Sequence, residues 1–171
     1  FVWNRTASSD WNNAGSWQLG AVPPSNAVTR LEFFTGAGSD SAIAANNNLG
    51  TFTLKSLALN GTGLGTTTLT GGTLAFATGG TLDLNGVTAA QQVSAFNGSG
   101  GTVLNSVNST TGYLIVGGNN LGGTYSGTIA DNAGGGATGK VSLRQPGSGP
   151  QMTLSPYTPS GGTTITGGTI Q

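Results

Sequence analysis

The chain has 171 residues, with five basic and five acidic side chains, 32 glycines, no cysteine and no histidine. The length suits one domain around one continuous core, and the missing residue types exclude disulfides, thiolate or imidazole metal sites, and Ser–His or Cys–His nucleophiles. A charged content of 6% provides neither the Lys/Arg clusters that bind nucleic acid or anionic lipid nor the net charge typical of disorder, and no run reaches the roughly 18–20 apolar residues of a membrane helix.

Strand signals start at once, with the apolar triplet Phe1-Val2-Trp3. Trp3, Trp11 and Trp17, followed by Gly20, Pro23 and Phe33-Phe34, mark residues 1–35 as a tryptophan-rich region. Two roles suit these indoles: covering an open first coil, or stacking on sugar rings. The segment 36–40, Gly-Ala-Gly-Ser-Asp, partly matches a calcium-binding nonapeptide. Calcium rolls need stacked copies, and one copy reads better as a glycine turn. Asn46-Asn47-Asn48 and Asn119-Asn120 suit corners, because Asn tolerates the left-handed conformation. Short alternating runs follow at 51–54, 56–59, 66–70, 73–76 and 81–84. Residues 89–96 are the best helical candidate, at most two turns long. Further strands are predicted at 102–104, 113–116, 124–129, 140–143, 152–154 and 163–166. Alternation turns their apolar members to one face and Thr, Ser or Asn to the other.

Internal repetition decides the architecture. Gly-Gly-Thr begins at Gly71, Gly79, Gly100, Gly122, Gly161 and Gly167. The steps of 21 and 22 read as one coil each, 39 as about two, and the short steps of 8 and 6 as successive corners of one coil. Three short strands per coil of roughly 20 residues predict an all-β parallel β-helix, a single β-solenoid over residues 1–171. A β-sandwich also uses short strands but requires no such period.

The C-terminal residues carry a resemblance. Thr124-Tyr125-Ser126-Gly127-Thr128-Ile129 is followed by Lys140-Val141-Ser142-Leu143, Met152-Thr153-Leu154-Ser155, Tyr157-Thr158, and Gly161-Gly162-Thr163-Thr164-Ile165. Residues 112–171 thus resemble the passenger-associated repeat of bacterial autotransporters. The chain departs from that pattern at Arg144-Gln145-Pro146, and at Pro156 and Pro159, where lost ladder donors predict a bulge or loop. The tryptophan-rich opening is similar to that of secreted autotransporter-like repeat proteins. The resemblance implies a right-handed β-helix that is secreted or displayed on a bacterial surface. It does not extend to an export apparatus.

The acids Asp10, Glu32, Asp40, Asp83 and Asp131 are widely scattered. Only Asp10 and Glu32, 22 residues apart, are spaced for one coil to bring together. The expectation is therefore an extracellular structural protein that is not an enzyme, with no catalytic, cofactor or metal residue, no nucleic-acid partner and no membrane insertion. Its expected partner is itself. Phe1, Val2 and Trp3 at one end and Thr163, Ile165, Thr169 and Ile170 at the other carry no charge or proline, so they suit head-to-tail pairing of strand edges into a fibre. The alternative is an adhesin or passenger segment that binds cell-surface or matrix glycans through Trp3, Trp11 and Trp17. Threonine arrays such as 66–68 suggest an ice-binding face, but that needs coils of equal length.

Overall fold

The computed structural model describes residues 1–3, 9–34, 43–60, 66–87, 89–117, 122–132, 138–146, 152–154, 157–158 and 160–165. The strands are β1 (Val2–Trp3), β2 (Ser9–Asp10), β3 (Arg30–Phe34), β4 (Ile43–Asn47), β5 (Phe52–Asn60), β6 (Thr67–Asp83), β7 (Gln91–Gly98), β8 (Thr102–Leu104), β9 (Thr111–Val116), β10 (Gly123–Tyr125), β11 (Thr128–Ala130), β12 (Lys140–Gln145), β13 (Met152–Leu154), β14 (Tyr157–Thr158) and β15 (Thr163–Ile165). Among the described residues the helical content is one 3-10 turn, Ala14–Ser16.

The strands stack in parallel on three faces. On the first, β1, β3, the end of β5, the end of β6, β8, β11 and β14 follow one another, through Val2↔Glu32, Arg30↔Ser56, Ser56↔Thr81, Thr81↔Thr102, Thr102↔Thr128 and Ile129↔Tyr157. On the second, Phe52 pairs Leu74, Leu74 pairs Phe96, and Tyr125 sits between Gly98 and Leu154. The third stacks β2, β4, the start of β6, the start of β7, β9, β12 and β15. The chain runs along the third face, then the second, then the first, and returns one level higher. This is a β-solenoid, as the repeats predict.

Coil length departs from the expected 20. It is 21 residues from Thr81 to Thr102 and 22 from Phe52 to Leu74, but 30 from Val2 to Glu32, 36 from Ser9 to Ala45 and 28 from Ile129 to Tyr157. The ladders fix strand register, so extra residues collect at the corners. The Gly-Gly-Thr triplets also mark different corners. Gly79 and Gly100 do lie one coil apart. Gly122 does not continue that column: the partner of Thr102 is Thr128, which follows Gly127, whereas Gly123–Tyr125 belongs to the second face.

Alternation fills the interior. Leu31, Leu57, Leu82, Val103 and Ile129 form an inward column on the first face, all at most 2% exposed. On the second face Phe96 packs between Phe76 and Tyr125, with ring centroids 5.6 and 4.6 Å away. Two glycines make room for this stack: a Cβ at Gly98 would press on the Tyr125 ring, and one at Gly123 would collide with the Phe96 carbonyl oxygen. The helical candidate at 89–96 is instead strand β7, paired on both sides by β6 and by β9 and β10. Ladder pairing overrides a weak local period. Asn46 and Asn47 end strand β4 rather than form the corner, which lies at 48–50. Asn47 points inward, donates to Gly50 O at 2.9 Å and accepts from Leu49 N at 3.1 Å. Gly71 crosses above it at φ +80°, where a Cβ would collide with the Asn46 side chain. The predicted strand 124–129 is broken at Ser126-Gly127 into β10 and β11. Asn119-Asn120, Pro156, Pro159 and the segment 36–40 lie outside the described residues.

Phe96→Ala removes the middle ring of the aromatic stack. The expected cost is about 3–5 kcal/mol of unfolding free energy, measured by urea denaturation followed by circular dichroism. A loss below about 1 kcal/mol would mean that the second face does not depend on this stack.

Candidate functional site

The tryptophan-rich region forms a plug. After β2 the chain turns through Ala14–Ser16, where the Asn13 side chain accepts from Gly15 N at 3.0 Å. This turn carries Trp17 back beneath Trp3 and Trp11. The Trp17 indole N–H donates to Trp11 O at 2.9 Å. Its ring meets Trp3 at 5.0 Å and Trp11 at 5.8 Å, both nearly edge to face, and Trp11 meets Phe52 at 5.0 Å. Trp3, Trp11 and Trp17 are 2%, 0% and 1% exposed. Sugar stacking needs an open ring face, and these rings offer none.

The same turn covers a strand edge. Trp17 forms an antiparallel bridge with Trp3, and Gln18 N donates to Val2 O at 2.8 Å. On its other side β1 pairs β3: Glu32 N donates to Phe1 O at 2.9 Å, and the Phe1 amino group donates to Arg30 O at 2.8 Å. The edge expected to pair with another subunit through Phe1, Val2 and Trp3 is therefore occupied by residues of its own chain. At the other stack end, Thr163 and Ile165 pair with Leu143 and Gln145, and Thr169 and Ile170 lie outside the described residues.

The carboxylates do not converge. Asp10 lies on the third face opposite Asn46, whose Nδ2 donates to Asp10 Oδ1 at 2.7 Å. Glu32 lies on the first face between Val2 and Ala58. The separation of 22 residues does not join them, because the first coils are longer than 22 and the two residues occupy different faces. Asp83 Oδ1 accepts from Asn85 N at 2.8 Å and from Ser106 N, one coil on, at 3.1 Å. Asp131 accepts from Val141 N at 2.9 Å, from Ser160 N at 3.0 Å and from the Ser160 hydroxyl. Partial burial pushes the Asp131 carboxyl up, but the Ser160 hydroxyl, the Val141 and Ser160 amides and the nearby Lys140 outweigh it and hold the group below its ordinary 3.8. Among the described residues, no group of three or more His, Cys, Asp or Glu could hold a metal ion.

Among the described residues, a dense polar cluster occupies the corner between the first and third faces. Asn105 continues the inward alternation from Val103 and is fully buried. Its Oδ1 accepts from Gly86 N at 2.7 Å, on the coil below, and Val107 N lies 3.4 Å away. Its Nδ2 donates to Thr110 O, to Thr110 Oγ1 at 2.9 Å and to Lys140 O at 3.2 Å on the coil above. One amide thus joins three coils. Beside it opens a cleft of about 340 Å³, lined by Ser109, Thr110, Thr111, Thr138 and Lys140. Ser109 holds φ +60°, rare for a residue with a side chain. Thr138 Oγ1 accepts from Ser109 N at 2.8 Å, and Asn108 Oδ1 accepts from Thr138 N at 3.0 Å. Sequence reading did not single out this corner. Its one signal was a polar residue, Asn105, at the inward phase of the strand through Val103.

No protein-family model matches the chain, and comparison with curated proteins and with solved structures returned no match.

Asn105→Ala strands buried backbone donors and acceptors on three coils, so a loss of about 2–3 kcal/mol is expected in chemical denaturation. Asn108→Ala, on the exposed side of the corner, is the control and should cost less than about 1 kcal/mol. Equal losses would remove the special role of Asn105. The depressed Asp131 carboxyl stabilises the fold fully above its unfolded pKa, and that contribution disappears as pH falls from 3.8 through the lower folded value. Melting temperature should therefore drop on acidification through this range, and Asp131→Asn should make that drop shallower. An unchanged acid profile in the variant would show that the Asp131 joint adds no pH-dependent stability.

Proposed function

We propose that this chain is a non-catalytic structural rod, a solenoid segment that serves as a stalk or spacer in a secreted or surface-displayed bacterial protein. The observation that carries this reading is the use made of its few acids. Asp10, Asp83 and Asp131 each tie one coil to another instead of facing a common cleft. General acid–base chemistry needs convergent groups within hydrogen-bond reach of a substrate, whereas a spacer needs rigid coil-to-coil joints. The secreted or surface location is supported by the resemblance of residues 112–171 and of the tryptophan-rich opening to autotransporter passengers.

Head-to-tail polymerisation is the second reading. It needs an unpaired edge at both ends, and the Trp17-Gln18 segment takes up the outward edge of β1. The rod is therefore proposed to stay unpolymerised through this end. The device is a form of edge protection, since uncovered parallel strands template association.

Sedimentation and electron microscopy separate the two readings. The wild type should remain a short, discrete particle at high concentration. Gln18→Pro, which removes the donor to Val2 O, should produce concentration-dependent self-association. Wild-type filaments that disappear on combining Thr164→Lys with Ile165→Pro would overturn the spacer reading in favour of polymerisation.

A further inference from the structure

We propose that Asn85 is a modification site: it deamidates to a mixture of aspartyl and isoaspartyl residues, and the Asn105 side chain gates that reaction. This goes beyond the rod reading and does not depend on it. The chain contains three Asn-Gly pairs, at Asn60, Asn85 and Asn97. In such a pair the glycine nitrogen can reach the Asn side-chain carbonyl carbon, since no Cβ stands in the way. The glycine amide first gives up its proton to solvent. Its nitrogen then bonds to the Asn Cγ, the Cγ–Nδ2 bond breaks, and Nδ2 leaves as ammonia with a proton taken back from solvent. The cyclic imide adds one water at either carbonyl. One opening gives Asp; the other gives isoaspartate, with an extra carbon in the main chain. Water is the only co-reactant.

The three pairs are not equivalent. Gly61 lies outside the described residues. Asn97-Gly98 sits within β7, between β6 and β10, so ring closure there must break ladder pairing. Asn85-Gly86 lies in a corner turn, beyond the end of β6. Both residues have positive φ, 45° and 71°, and Val87 N closes the turn by donating to Leu84 O at 3.0 Å. Two side chains from the coil above hold the reacting groups. Ser106 Oγ donates to Asn85 Oδ1 at 3.3 Å, which fixes the carbonyl to be attacked. Gly86 N donates to the buried Asn105 Oδ1 at 2.7 Å. This second bond is the gate, because a hydrogen bond to the N–H form opposes loss of its proton. The Asp83 carboxylate accepts from Asn85 N at 2.8 Å, and its charge further disfavours an anion on the next amide. Asn85 and Gly86 are only half-buried, so solvent reaches them once the Asn105 bond opens. The product cannot return to the same turn. Isoaspartate lengthens its main chain, and either product adds a negative charge beside Asp83. A local opening of this corner thereby becomes a permanent change.

The test incubates folded wild type for weeks in mildly alkaline buffer and follows conversion of Asn85 by peptide mass spectrometry, with the urea-unfolded chain as reference. Asn85 should convert at least about tenfold more slowly in the folded protein. Asn105→Ala should speed that conversion at least about tenfold over wild type. Phe96→Ala, expected to be at least as destabilising but placed on the second face, should speed it less. If Asn105→Ala does not fold, the wild type alone decides. As urea is raised below the unfolding transition, conversion of Asn85 and hydrogen exchange of the Gly86 amide should then change in parallel. Four results overturn the proposal: folded wild type converting at the unfolded rate, folded Asn105→Ala converting at the wild-type rate, Phe96→Ala converting as fast as Asn105→Ala, or exchange and conversion diverging with urea.

Discussion

Each coil hydrogen-bonds through its backbone to the coil below and the coil above, and this parallel pairing constrains everything else in the molecule. A strand residue cannot slip by one position without turning its inward side chain to solvent. The columns Leu31-Leu57-Leu82-Val103-Ile129 and Phe52-Leu74-Phe96 are consequences of that register. Corners have no such constraint. They take up the difference between a 21-residue coil and a 36-residue one, and the polar corner chemistry concentrates there.

Parallel stacking creates two difficulties, and the chain answers both locally. An end strand exposes unpaired backbone groups. Here the 3-10 turn folds Trp17-Gln18 back against β1, and the three indoles fill the coil behind it. Neighbouring corners must also be held together where no ladder runs. Asn105, Asp83 and Asp131 do this by accepting from amides one coil away, so side-chain oxygens replace the missing ladder bonds. A buried Asn is costly unless its hydrogen bonds are made, and Asn105 makes bonds through both its oxygen and its nitrogen.

The same corner that gives rigidity also borders an open cleft of about 340 Å³. The Asn105 joint fixes the Lys140 backbone, and the Asn108–Thr138–Ser109 chain fixes the rim.

The sequence by itself determined the all-β solenoid. Period-2 alternation, glycine-bounded runs and the 21-residue step from Gly79 to Gly100 are local signals, and β-branched or glycine residues carry them without reference to distant partners. It also placed most strands, from 51–59 through 140–143. Only the tertiary structure decided the rest. Within the helical candidate at 89–96, the residues from Gln91 onward became strand β7 because β6 and β9 offered ladders on both sides, a partner-dependent gain that no local period reports. Gly122 proved to mark another corner because variable loops break the count between Gly100 and Thr128. Asp10 and Glu32 fell on different faces for the same reason. The roles of the tryptophans and of Phe1–Trp3 were open in the sequence, since an indole beside a turn can face inward or outward. Return of the chain through Ala14–Ser16 decided it, by burying the rings and covering the edge at once.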